Sequence, residues 1–476
     1  MSFARRTTNA AVWQILARGG ERALKLLSSL VLARLLEPED FGRLAAALVL
    51  VGIVETLSFL GVEQAIIQSK RGDDPRFLSQ ALRTTIVRGV GVALVMAALS
   101  PVAAWFNEDR EILWMTLVIA ISPAIAGFTN PWVASRRRAL DFRAFAVASI
   151  GGGAIQVATA VLCAWQGLGA LSLAIGIVAS TSGSVALGWL LAPRQIDFAV
   201  DPEARAELRG FMRKAMGVPF ILMLCNETPS LLLGRMADLA TLGTYTLARR
   251  VCSLPTEVAL PIFGNVLGPA YASLRAEPER LRRVWLFALM GIPLLAAPAV
   301  AGSLVLDDGL PSFLFGAEYA GSAGLVSVLG VTALVNSLTG CCGPLFWGLG
   351  EPQYDRRQIL TRFIGIAVTA VPATHYGGAT GLAGSIALAQ VAALIYAISH
   401  ARRLAGASGA EVRKALMPAA LAGGILLALF TMTDKGLASL GARESVRVIG
   451  VGVEVAASMV VLGILVLRMR RAGGNA

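Results

Sequence analysis

LARLLEPEDFG (residues 32–42) and LGRMADLATLG (residues 233–243) share one pattern: an apolar run ending in Arg, seven residues, then Gly. The copies lie 201 positions apart, and the match extends outward, pairing Leu30 with Leu231, Val31 with Leu232, Leu44 with Tyr245 and Ala47 with Ala248. Self-similarity of this kind signals an internal duplication, which can decide a whole architecture.

Composition says what is duplicated. With 476 residues, 56% of them hydrophobic and 15% charged, the chain is no string of soluble domains. Apolar stretches of about 20 residues recur throughout, each long enough to cross a hydrocarbon core. Fourteen are read, near 13–35, 43–66, 84–106, 112–133, 144–166, 168–192, 215–236, 239–267, 284–306, 322–347, 359–376, 380–399, 415–433 and 447–468. The expected fold is all-α: a polytopic membrane protein of about 14 transmembrane helices.

The net charge of +12 is an orientation signal, not a nucleic-acid footprint. Of 42 basic residues, 29 fall on the side of both termini, among them Arg71, Arg83, Arg137, Arg205 and Arg282, and six on the other. By the positive-inside rule both termini are expected to be cytoplasmic. Arg18, Glu21, Arg22 and Lys25 interrupt the first apolar segment, so a cleavable signal peptide is not expected. The five cysteines sit within spans and read as small core residues, with no metal-ligand spacing.

Catalytic patterns are informative by absence. The only histidines are His375 and His400, so no HExxH occurs, nor does a GxxxxGK[ST] loop. No catalytic residue, metal or cofactor is expected. EPED at residues 37–40 reads as a turn that opens the second span, since Pro and carboxylates suit a helix N-terminus. Gly176, Ser180, Ser184 and Gly188 form a small-residue stripe for close packing. Pro219, Pro229, Pro255, Pro261, Pro293, Pro298, Pro344 and Pro372 are expected to break the later spans, as in solute carriers.

Six spans separate the two copies of the opening motif. An even number preserves orientation, so the repeat is parallel. Each Arg is expected to snorkel at the external face, and each Gly to allow a tight turn. The first span also has a polar face: Gln14, Arg18, Glu21, Arg22, Lys25, Ser28 and Ser29 fall within an arc of roughly 120° at helical pitch. Charges there must line water or pair with one another, because each costs about 2.5–3.5 kcal/mol at the centre of a lone span. Pairing of Glu21 with Arg18 or Lys25 at helical spacing is the structural alternative to a cavity.

VLARLLEPEDFGRLAAALVLVGIVETLSFLGVEQAIIQ (residues 31–68) and LLLGRMADLATLGTYTLARRVCSLP (residues 231–255) resemble paired helices of bacterial polysaccharide exporters. These are the Wzx-like oligosaccharide flippases of the multidrug/oligosaccharidyl-lipid/polysaccharide (MOP) superfamily. The resemblance implies two six-helix lobes, residues 1–200 and 201–405, around a central cavity, with an additional helix pair in 406–476. It implies a flippase of the bacterial inner membrane that moves undecaprenyl-pyrophosphate-linked oligosaccharide by alternating access. The expected partners are that substrate, membrane lipids, and polysaccharide polymerase and export machinery. Arg18, Arg22 and Lys25, with Glu21, would then bind the diphosphate, aided by Arg88, Arg249 and Arg250. Glu55, Asn226, Glu227 and Glu257 are the candidates for coupling to a proton or sodium gradient. The rival readings are a multidrug or cation antiporter of the same superfamily, and a membrane glycosyltransferase or polymerase.

Overall fold

The EPED turn folds as its residues dictate. Pro38 occupies the first turn of a helix, and Asp40 accepts a hydrogen bond from the Glu37 N–H at 3.3 Å, so the N-terminus is capped by its own carboxylate. The computed structural model describes residues 13, 19–21, 23–58, 61–69, 71–138, 141–192, 201–215, 218–306, 309–316, 319 and 324–473. These are helical or turn, with no strand among them.

In chain order the helices are α1 (residues 23–32), α2 (Pro38–Leu57), α3 (Val62–Gln68), α4 (Pro75–Asn107), α5 (Glu111–Ala126), α6 (Pro131–Arg138), α7 (Arg143–Trp165), α8 (Leu171–Leu191), α9 (Pro202–Ala215) and α10 (Val218–Met236). Then come α11 (Leu239–Ser273), α12 (Pro278–Val305), α13 (Gly309–Phe315), α14 (Leu325–Gly340), α15 (Gly343–Gly348), α16 (Pro352–Leu404), α17 (Gly409–Ser439) and α18 (Glu444–Gly473). Among the described residues eight helices are long and apolar enough to cross a membrane, or nine if the bent pair α5/α6 is one span. Every 18-residue stretch of α2 contains Asp40, Arg43 and Glu55, so α2 is too charged to be among them.

The 53-residue α16 is in fact a helical hairpin. Gly378 adopts φ 55° and ψ −141°, a conformation that only glycine takes readily. On either side the chain folds back on itself: a Cβ on Gly381 would overlap the Ala373 carbonyl oxygen, and one on Gly365 would lie 2.8 Å from the Ala389 Cβ. The two spans read at 359–376 and 380–399 are its arms.

The prolines do not break the helices as expected. α12 continues through Pro293 and Pro298, α10 through Pro229, and α11 through Pro255 and Pro261. A proline deletes one i→i−4 bond, and the remaining ladder carries the helix across it. Pro344 does follow an interruption, at Cys341 and Cys342 between α14 and α15, while a bend of 62° falls in the first half between α5 and α6.

By internal contacts the chain forms two units, Met1–Gly243 and Thr244–Ala476. In the first, α7 packs on the small-residue stripe of α8: a Cβ on Gly152 would overlap Ser184 Oγ, and Gly176 abuts Ala160. α9 and α10 also belong to this unit, α9 against α3 and α4 and α10 against α2. The lobes of residues 1–200, 201–405 and 406–476 are what the family resemblance implies. The second unit has a core of Tyr271, Trp285, Cys341, Cys342 and Phe346, all buried.

The motif glycines act differently from their expected role. Gly42 and Gly243 are helical, not turn, residues. A Cβ on Gly42 would overlap the carbonyl oxygen of Leu239, and one on Gly243 would overlap that of Pro38. Within the N-terminal unit, each glycine thus admits the backbone four residues before the other. What they permit is a close helix crossing.

Candidate functional site: charged groups of the helices and a cationic cleft

Lys25 and Glu21 stand one turn apart on the first helix, and Lys25 Nζ reaches Glu21 Oε1 at 2.7 Å. The Lys25 side chain is 52% exposed, whereas Ser28 and Ser29 are buried, Ser29 Oγ donating to the Lys25 carbonyl oxygen at 2.8 Å. The apolar flank fixes the helix: Leu24 packs against Gly153 of α7. The polar face is therefore divided, with its serines buried and Lys25 outward. Arg18 and Arg22 lie outside the described residues.

Arg88 closes the end of α2. Its Nε donates to the Ser58 carbonyl oxygen at 2.7 Å, and its terminal nitrogen to Ser58 Oγ at 3.1 Å and to the Glu55 carbonyl oxygen at 3.2 Å. A cation at a helix C-terminus satisfies orphan carbonyls and complements the dipole. Of the acids expected to couple to an ion, Glu55 is exposed and Glu227 lies against Gly52, where a Cβ would come within 3.2 Å of its carboxylate. Asn226 is exposed beside it. The Glu257 side chain lies outside the described residues. In the second unit Arg249 and Arg250 are half-buried on α11. The structure thus gathers the predicted residues at several places, with Lys25–Glu21 and Arg88–Glu55 in direct contact.

A cleft of about 780 Å³ opens between α2, α4 and α9 of the first unit. Ile53, Leu57, Val87, Val95 and Leu99 form its walls, with Gln80, Arg83 and Arg205 lining it toward the start of α4 and Arg88 midway. Among the described residues no Asp or Glu lines it. Arg83 and Arg205 were read from sequence as basic-loop residues marking orientation. Their helical setting was legible only in part: α9 sits in a charged stretch too short to span, and its Ala204 and Leu208, four residues apart, are what seat it in a buried cluster with Phe77 and Leu78.

A salt-bridge cluster straps α9 down. Arg71, in the turn before α4, contacts Asp74 at 2.8 Å and Asp201 at 2.5 Å, and Ser69 Oγ donates to Glu207 at 2.6 Å. The Arg71 hydrogen bond holds the Asp74 carboxyl below its usual value; for Asp201 the Ala204 N–H acts first and Arg71 second. At the opposite end of α2, Arg43 joins Asp40 at 3.2 Å to Asp109 at 2.9 Å, and Arg235 of α10 meets Glu108 at 2.5 Å.

Long apolar helices, several bearing charged residues, define a polytopic membrane protein. The chain belongs to the polysaccharide biosynthesis protein family, which matches residues 31–324. It is 25% identical over 390 residues to the succinoglycan biosynthesis transport protein ExoT of Rhizobium meliloti, covering 79% of this chain and 76% of that one. It is 23% identical over 354 residues to the lipopolysaccharide biosynthesis protein WzxC of Escherichia coli, covering 72% and 70%. Its fold is that of the lipid II flippase MurJ in an inward closed conformation, with a TM-score of 0.74 at 12% identity over 96% of this chain and 99% of that one. An inward-facing multidrug resistance MATE transporter of the MOP superfamily shares it at a TM-score of 0.64 and 16% identity, over 82% and 96%.

Proposed function

We propose that this protein is a flippase that carries lipid-linked oligosaccharide across the bacterial inner membrane for polysaccharide biosynthesis. The observation that carries this reading is the family membership, with a relative named as a succinoglycan transport protein matched over three quarters of both chains. The fold shared with a lipid II flippase supports it. Both termini are cytoplasmic on this reading, and polymerase and export machinery are the partners that receive the product.

Arg18, Arg22 and Lys25 bind the substrate diphosphate in this scheme, since guanidinium forks match phosphate oxygens and an ammonium acts as a point charge. Glu21 holds Lys25 until substrate arrives. An exposed ion pair of this kind contributes little to stability, so exchanging carboxylate for diphosphate costs little. Glu55, Asn226, Glu227 and Glu257 are the candidates for ion coupling, and Arg88, Arg249 and Arg250 supply positive potential. The transporter has no catalytic residue and uses no cofactor.

The test is reconstitution with a fluorescent lipid-linked oligosaccharide, its outer-leaflet fraction read by chemical quenching. Translocation proceeds without nucleotide and slows when the proton or sodium gradient is collapsed. The Arg18/Arg22/Lys25 triple alanine variant inserts at normal levels and loses translocation, and Arg22→Lys restores only part of what Arg22→Ala removes. Wild-type rates in the triple variant, or an absolute need for ATP, would refute the scheme.

A further inference from the structure

The α2/α4/α9 cleft has the profile of a phospholipid site. Gln80, Arg83 and Arg205 line the end nearest the start of α4, Arg88 follows midway, and the α4 wall beyond it is apolar from Gly91 to Leu99. Gln80 to Val95 spans about 22 Å along the helix, the depth of a headgroup plus one leaflet of chain. Val87 is 69% exposed, so the cleft opens at the protein surface. Gln80 is 5% exposed, and its Oε1 accepts no hydrogen bond from the protein. A buried amide acceptor of this kind is open to a donor from a ligand or a water.

We propose that this cleft binds one anionic phospholipid with a hydroxylated headgroup, of the phosphatidylglycerol type. Its phosphate sits between Arg83 and Arg205, a headgroup hydroxyl donates to Gln80 Oε1, and one acyl chain lies along Val87, Val95 and Leu99. Charge complementarity selects the head, because guanidinium groups and, among the described residues, no carboxylate line that end. Size selects the occupant: about 780 Å³ suits a chain and a small head, and walls this apolar offer no distributed partners for an oligosaccharide. This lipid is therefore a resident and not the cargo. Its leaflet follows from the orientation proposed above, but its binding does not.

Native mass spectrometry of the full chain, delipidated and then offered defined lipids, tests the proposal. Wild-type protein retains one phosphatidylglycerol and at least ten-fold less phosphatidylethanolamine. The Arg83→Ala/Arg205→Ala variant loses at least ten-fold in phosphatidylglycerol retention. Phosphatidylmethanol has the charge without the glycerol hydroxyls; wild-type protein holds it several-fold less well, and Gln80→Leu removes that preference. A second measurement uses unaltered protein: a photoreactive group on the acyl chain labels the stretch from Val87 to Leu99. Equal retention of phosphatidylethanolamine, undiminished binding by the double variant, labelling confined to other helices, or one-for-one displacement by a polyprenyl diphosphate would each overturn it. Loss of flipping with lipid retention intact counts against the transport reading alone.

Discussion

Gly42 and Gly243 show how a residue can matter through what it lacks. Each leaves room for a carbonyl oxygen from the other's helix, so a methyl group at either position pushes two backbones apart. Gly42→Ala or Gly243→Ala is expected to cost about 1–3 kcal/mol, as overpacking does. Because one crossing serves both, the double variant costs less than the sum, readable as a thermal midpoint in detergent. Arg71 sets a second residue-scale expectation. Asp74 and Asp201 both titrate below their usual range, so the native state binds fewer protons than the unfolded chain. Their contribution is complete above the unfolded carboxylate value of about 3.9 and is lost as pH falls through the lower native values. The unfolding midpoint should hold down to about pH 4 and then drop, and Arg71→Ala should lower the neutral-pH midpoint and flatten that drop. The i,i+4 spacing made Lys25–Glu21 legible in the sequence. Arg83 and Arg205 were not, because a basic residue near a span end obeys the orientation rule whether or not it lines a cleft.

Among elements, α16 was legible and α10 to α12 were only half so. Gly377 and Gly378 between two apolar runs mark a turn that glycine alone makes easily, and the hairpin forms there. Gly378→Ala should destabilise the second unit by about 1–3 kcal/mol, since the strain lies in the backbone. Gly424→Ala, at an uncrowded helical site, should not. A hydrogen-exchange comparison of the two variants checks this, with faster exchange expected around residues 365–389 in the first alone. The prolines misled because a breaker's effect depends on the packing that holds the rest of the helix, which single-sequence reading does not contain. α12 shows it: Pro293 and Pro298 are buried among neighbours and the helix runs on.

For the whole molecule, the apolar segments and the charge asymmetry together predict a sidedness. Tyr376, 87% exposed near the α16 turn, is external on that reading, and Arg282 at the start of α12 is internal. An impermeant thiol reagent should label Tyr376→Cys from outside intact cells and leave Arg282→Cys unmodified until the membrane is opened. Labelling of both from outside would remove the orientation. Cys225, Cys341 and Cys342 are buried, while the half-buried Cys163 and Cys252 are replaced by Ser before labelling. The all-α class was legible because apolar length is a property of the chain alone, whereas the cleft needed α9 to fold back over α4. The paired contact of Gly42 and Gly243 has one further consequence, for heredity. Two copies of one motif meet as like surfaces meet about a two-fold axis in a homodimer. A half-length ancestor bearing a single copy would present that surface to its twin, so any mutation there would act twice at once. Fusion into one gene separates the two sides, leaving Leu239 free to diverge from Pro38 while both glycines remain bound to the same geometric demand.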